Sequence, residues 1–387
     1  MASSPHVPPL RAFARRGREK ALMTDWNEIR THFPALQGRV DLNTAGGGPM
    51  CREAFERVRQ YFDEFYREGN THWNVWLERV EHTRQKLAGF LGVAPDAIAF
   101  LANASQGLNL VADLLAGDGR VVALSDDFPS VTMPWLGRGR DVEFLDSPDQ
   151  LDDALRKSPA VLAVSLVQYK TGFRLDLDRV SALCQEHGTA LVLDATQAFG
   201  VISIDLEPIP FDALVFSAYK WATAGYGIAP LVVRRSLLEE RGLPSVGWRS
   251  AREPYDLEST KLDLTTEARG LELGHPPFAG VFALAGALEL IESIGLAAIE
   301  ARVAHLLDEL HRGLEVRGIP IDSPRAHNAR SPITMIRVPD PAATAAALAE
   351  RNVFVSARGE GLRVSVHYYN NEDDLETFFE VLTPHLG

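Results

Sequence analysis

Lys220 stands in the run Ala213-Leu-Val-Phe-Ser-Ala-Tyr-Lys-Trp221, just past a short apolar stretch that reads as a strand. Upstream, Thr189-Ala-Leu-Val-Leu-Asp194 is a second apolar stretch, and it runs on as Asp194-Ala-Thr-Gln197. A lysine beyond one buried strand and a carboxylate at the end of another is the pair that pyridoxal phosphate requires. The amine forms a Schiff base with the cofactor aldehyde, and the carboxylate keeps the pyridine nitrogen protonated so that the ring acts as an electron sink. The chemistry expected is bond breaking at the Cα of an α-amino acid.

Other residues could complete such a site. Asn103-Ala-Ser-Gln106 lies between a strand and a helix, and Ala104 and Ser105 at that helix start suit a phosphate. Alone it would be a plain N-cap; beside Lys220 and Asp194 the phosphate reading is preferred. Ser217 and Tyr219 flank the lysine and could add phosphate contacts. Gln197, one short turn past Asp194, is expected to reach the ring's phenolic oxygen; the alternative is a surface glutamine. Phe128, in Asp126-Asp-Phe-Pro-Ser130, is expected either to lie flat over the pyridine ring or to be a core aromatic.

Arg363 shares a period-two face of the last strand with Ser365 and His367. Arginine is the natural bidentate partner of a substrate α-carboxylate. Arg358 and Arg249 are weaker candidates for a second carboxylate. Cys51 sits near a helix start, where a thiol can be activated, yet it and Cys184 are read as packing residues. The 11 histidines show no metal-ligand spacing, so no metal is expected.

The elements that must hold these groups alternate. Strands are expected at 97–101, 120–125, 161–166, 189–194, 213–216 and 228–233, with helices at 106–115 and 178–187 between them. That alternation predicts an α/β fold with a mostly parallel sheet and right-handed crossovers. Functional loops then gather at the carboxyl ends of the strands, where Asp194 and Lys220 fall. A long apolar helix, 279–294, leads into an α+β remainder that opens with a helix over Ala301–Arg317 and has a hairpin at Arg358-Gly-Glu-Gly361. The expected division is a disordered tail over 1–22, a large cofactor-binding domain over 23–285, and a smaller C-terminal domain over 286–387.

The chain has 387 residues and a net charge of −13. That charge argues against nucleic acid or an anionic membrane as the main partner. Two cysteines without a CxxC pair exclude a disulfide framework and suit the cytoplasm. No apolar run approaches the roughly 20 residues of a spanning helix.

Taken together, these motifs resemble the class V aminotransferase family of fold-type-I pyridoxal phosphate enzymes. That branch holds cysteine desulfurases, isopenicillin N epimerase-like proteins and, more distantly, kynureninases. The resemblance runs from about Val40 to the C-terminus. It rests on the Asp194 and Lys220 segments, on Ala104-Ser-Gln-Gly-Leu-Asn-Leu-Val-Ala112, on Leu271-Glu-Leu-Gly-His-Pro276 and on Leu362-Arg-Val-Ser-Val-His-Tyr-Tyr-Asn370. It implies a homodimer in which His275 reaches the partner's cofactor phosphate.

The chain also departs from the desulfurases. Phe128 and Tyr219 stand where they carry histidines, and His275 where they usually carry threonine. The loop Ser356-Ala-Arg-Gly-Glu-Gly361 has no nucleophilic cysteine. The resemblance therefore implies an aminotransferase or a β-eliminating C–S lyase. An epimerase, or a pyridoxal phosphate-binding protein without turnover, is the alternative. Epimerisation would need a second base, for which His72 and Tyr169 are the candidates.

Overall fold

The computed structural model describes residues 19–386. Its strands, in chain order, are β1 (Val40–Asp41), β2 (Ile98–Leu101), β3 (Val121–Leu124), β4 (Val142–Leu145), β5 (Val161–Ser165), β6 (Ala190–Asp194), β7 (Ala213–Val215), β8 (Ala229–Val233), β9 (Ile333–Arg337), β10 (Val353–Phe354), β11 (Ser356–Arg358) and β12 (Gly361–Ser365).

Seven strands form the main sheet in the order β2-β8-β7-β6-β5-β3-β4. Pairing is parallel from β7 through to β4, and β8 alone runs against its neighbours. Strands such as β5 and β8 are apolar on both faces because helices cover both. Alternation sorts their side chains into two cores. Leu162, Val164, Leu191, Leu193 and Leu214 join the cluster under the helices Trp73–Leu91 and Phe278–Ile294. Val161, Ala163, Val192, Ala213 and Val215 join the cluster under the helix Ala104–Leu114.

The C-terminal part is a three-stranded antiparallel sheet, β11-β12-β9, with the helices Leu296–Val316, Pro341–Glu350 and Glu372–Leu382. The expected hairpin is present, with Arg358 paired to Gly361 across a two-residue turn. β1 pairs in parallel with β10, and Ser365 N donates to the Leu42 carbonyl at 2.8 Å. Residues 40–45 are therefore hydrogen-bonded to the C-terminal part of the chain.

Three local differences from the sequence reading have simple causes. β4 was not expected, because Val142-Glu-Phe-Leu lies at the sheet edge and is only partly buried. The helix expected from Ala301 begins at Leu296, directly after Gly295, whose φ of +91° ends the preceding helix and bends the chain by 79°. The tail expected over 1–22 lies outside the described residues up to 18. Residues 19–23, however, are helical, and Lys20 Nζ donates to the Ser293 carbonyl at 3.2 Å. Among the described residues no single helix is long and apolar enough to cross a membrane.

Candidate active site

Parallel pairing of β6 and β7 puts Asp194 in register with Val215, so the two strands end side by side. The chain leaving β7 then delivers Lys220 to the end of the strand that carries Asp194. Both groups are buried, at 5% and 7% exposure. Burial raises the pKa of Asp194, while Thr196 and the charge of Lys220 act to lower it. Burial lowers the amine of Lys220 to about 8; Asp194 opposes this, and the charges of Arg363 and Arg358 add to it. The backbone of Lys220 is set by a close approach: a Cβ on Gly48 would sit 2.6 Å from the Lys220 carbonyl oxygen.

Phe128 caps the arrangement. Lys220 Nζ stands 5.7 Å from its ring centroid, and the ring is 42% exposed. That corrects the core-aromatic alternative. The backbone of Phe128 is held by Asp127, which was not singled out in the sequence. Asp127 accepts hydrogen bonds from Phe128 N at 2.7 Å, Ser165 N at 2.8 Å and Ser165 Oγ at 2.5 Å. Ser165 is itself the β5 residue in register with Asp194. Burial, with some help from Asp194, pushes Asp127 up to about 6.

At the expected phosphate site, Asn103 caps the helix Ala104–Leu114 by accepting from Gln106 N at 2.9 Å. Ser105 Oγ and Ser130 Oγ lie 2.7 Å apart, which ties this helix start to the segment of Phe128. Ser217 N donates to Thr196 Oγ1 at 3.0 Å. Tyr219 stacks on Tyr226 at 4.3 Å, and its ring centroid is 5.6 Å from Lys220 Nζ. Gln197 is 4% exposed and not a surface residue. Its amide donates to the Ala45 carbonyl at 3.0 Å and accepts from Trp221 Nε1 at 2.7 Å. One amide hydrogen is left for a ligand oxygen.

Arg363 is 2% exposed and donates one bond, from Nη1 to the Tyr169 carbonyl at 2.9 Å. Its Nε and Nη2 are buried without a partner. A buried guanidinium with open donors is a place prepared for an anion. Burial, then the charge of Arg358, brings its pKa down to about 10, so it is still cationic at neutral pH. Tyr169 also meets Phe128 edge-on at 5.5 Å.

Several candidates lie elsewhere or serve the fold. Arg249 donates to Tyr255 Oη at 3.1 Å and lies 3.6 Å from Glu272, which also binds Arg84 at 2.8 Å; it is tied into a buried ion cluster. His275 is exposed and packs between Trp73 and Trp248, so one chain alone does not bring it to Lys220. His72 pairs with Glu68 at 2.8 Å. His367, on the face of Arg363, is fully buried and pushed down to about 3; it is neutral, and Nε2 donates to the Trp221 carbonyl at 3.1 Å. Burial pushes Cys51 up to about 11 and Cys184 up to about 12, so the helix start does not activate Cys51.

These residues fit pyridoxal phosphate on the structure's own terms. An amine with a lowered pKa, a buried carboxylate beside it, a partly exposed aromatic ring and a guanidinium with unmet donors converge at the carboxyl ends of parallel strands. The fold and site define a pyridoxal phosphate-dependent enzyme of fold type I. The sequence profile of the class-V aminotransferases matches residues 42–378, and the chain belongs to that family.

An uncharacterized aminotransferase of Bacillus subtilis, YcbU, is 25% identical over 90% of this chain and 95% of its own length. The isopenicillin N epimerase of Amycolatopsis lactamdurans is 26% identical over 93% of this chain and 98% of its own. Among solved structures, a cysteine desulfurase from Thermococcus onnurineus NA1 superposes with a TM-score of 0.84 at 23% identity, covering 93% of this chain and 97% of that one.

Proposed function

We propose that this enzyme moves a proton at the Cα of an α-amino acid with a single base, Lys220, and that its reaction is amino transfer or β-elimination. The observation that carries this reading is the pairing of Lys220, its pKa lowered to about 8, with the non-titrating ring of Phe128 5.7 Å from its amine. One group there can exchange protons near neutral pH, and its neighbour over the site cannot. An epimerase needs proton transfer on both faces.

Bound to Lys220, pyridoxal phosphate supplies the electron sink for the bond broken at Cα. With the cofactor in place, Asp194 would keep the pyridine nitrogen protonated and Gln197 would donate to the phenolic oxygen. Phe128 would cover the ring. The N–H groups at Ala104 and Ser105, with the hydroxyls of Ser105 and Ser217, would hold the phosphate, and Tyr219 would line that side. Arg363 takes the substrate carboxylate through Nε and Nη2 and so fixes Cα beside the lysine. The Lys220 amine would take the Cα proton and deliver it to the new carbon position in amino transfer, or to the group departing from Cβ in β-elimination. Persulfide formation has no group to support it, because both thiols are buried with raised pKa and the β11–β12 hairpin holds no cysteine.

A homodimer is part of the same reading. The helix Arg52–Glu68 leaves Phe55, Phe62, Phe65 and Tyr66 at 45–89% exposure, an aromatic stripe of the kind a partner covers. A second copy would bring its His275 to the phosphate. Two free, buried thiols suit the cytoplasm.

The test is to incubate the holoenzyme with an amino-acid panel and analyse products and recovered substrate. The expected result is a keto acid, or pyruvate with ammonia, and unreacted substrate of unchanged configuration. Racemised substrate, or alanine released with enzyme-bound persulfide, would refute the one-base reading.

A further inference from the structure

The β11–β12 hairpin carries two arginines on one face. In its register Ser356 stands opposite Arg363, and Arg358 stands opposite Gly361. Directly opposed residues share a face, and side chains two apart on a strand do so too. Arg363, Ser356 and Arg358 therefore project together, and Arg358 is the diagonal neighbour of Arg363, at about 7–8 Å between such positions.

Two like charges so placed repel unless an anion lies between them, and among the described residues no carboxylate pairs with either. Arg363 keeps Nε and Nη2 unpartnered. Arg358 is exposed, and its polar contact is to the neighbouring Ala357 carbonyl at 3.2 Å. The acid nearest in sequence, Glu360, acts on Arg337 instead. This is unusual in a chain of net charge −13, whose exposed arginines commonly find acids, as Arg57 does with Glu289 and Arg235 with Asp96. The charge of Arg358 is felt at both Lys220 and Arg363, where it lowers each pKa, so it borders the substrate site. One anion, the α-carboxylate, satisfies Arg363. Arg358 remains.

We propose that Arg358 is the subsite for a second acidic group, so that the substrate is an α-amino acid whose side chain ends in a carboxylate or an equivalent oxyanion. This rests on the reading of Lys220 as cofactor anchor and Arg363 as α-carboxylate site. Complementary charge of this kind selects among substrates more than it adds affinity for all of them. The exposure of Arg358 makes the selection sensitive to salt.

The experiment titrates the holoenzyme with matched pairs, aspartate against asparagine and glutamate against glutamine, following the visible absorbance of the bound cofactor. The acid of at least one pair should half-saturate at a concentration at least tenfold below its amide at low salt. Arg358→Ala should bring the two curves together, and Arg358→Lys should restore part of the gap. Equal half-saturation of acid and amide by the unaltered enzyme, or an acid preference that survives in Arg358→Ala, overturns the proposal. In either case an absorbance that still responds to amino acids leaves the one-base reading standing. An absorbance that responds to no amino acid sinks both.

Discussion

Asp127→Asn separates two effects that the native carboxylate combines. In the cofactor-free protein, Asp127 is held at about 6 against an ordinary 3.8, mainly by burial. A carboxyl whose folded pKa is raised contributes stability below its unfolded pKa, and that contribution is lost as pH climbs to the folded pKa. The full loss is about 3 kcal/mol, complete near pH 7, of which about 1 kcal/mol falls between pH 5 and pH 7. The amide removes this term, but it cannot accept all three bonds. Oδ1 of the carboxylate receives Phe128 N and Ser165 Oγ, and Oδ2 receives Ser165 N. In either orientation the asparagine nitrogen faces a backbone N–H, which costs about 1–3 kcal/mol.

The variant should therefore be less stable than the parent at pH 5, and the gap should narrow by about 1 kcal/mol by pH 7. Urea unfolding of both cofactor-free proteins at half-unit pH steps reads this directly. Parallel stability curves from pH 5 to 7 would refute the argument, since they would mean that Asp127 does not titrate in that window.

Further outcomes follow from the same site. Borohydride reduction of the holoenzyme should abolish its visible band and place the adduct on Lys220 by peptide mapping, while Lys220→Ala should bind cofactor without a covalent link and lose turnover by at least 1000-fold, on the order expected for removal of a group that serves as both covalent anchor and base. Replacing Cys51 and Cys184 together by serine should leave the product unchanged and activity within about threefold, with any cost appearing as lowered thermal stability, since both thiols are buried. Sedimentation should give twice the 42.5 kDa chain mass, and the double change Phe62→Glu with Phe65→Glu should shift the protein toward monomer; a parent that sediments as a monomer would remove the basis for a shared site.

The chemistry was legible where it depends on strand ends. Asp194 and Lys220 each follow an apolar run short enough to be one buried strand, so their meeting follows from parallel order alone. Arg363 was legible from period two, and the hairpin from its glycines. What stayed hidden depends on partners distant in sequence. Arg249 reads as a candidate for a second carboxylate until Glu272 is placed beside it, and the partners that orient Gln197, the Ala45 carbonyl and Trp221, are not visible in its own segment. Asp127 was visible beside Phe128, but its role requires Ser165 on the adjoining strand. β4 was missed because an edge strand need not be apolar, and the reversal of β8 leaves no mark in a run buried on both faces.

The pairing of β1 with β10 has a consequence for how the molecule comes into being. Synthesis proceeds from the N-terminus, and domains generally fold as they emerge. Asn43 nevertheless meets Ser356 across 313 residues of chain, and Gly48, which packs on the Lys220 carbonyl, follows only a few residues later. The main sheet, from β2 to β8, can form while the ribosome is still translating the C-terminal part. Its cofactor lysine is in place before the strand that carries Arg363 exists. The backbone N–H groups of Val40, Leu42 and Ala45 must wait for the last part of the chain before they are paired. The nascent protein should thus acquire its sheet and its lysine early, and its substrate-binding wall in a late step that joins the two ends of the polypeptide.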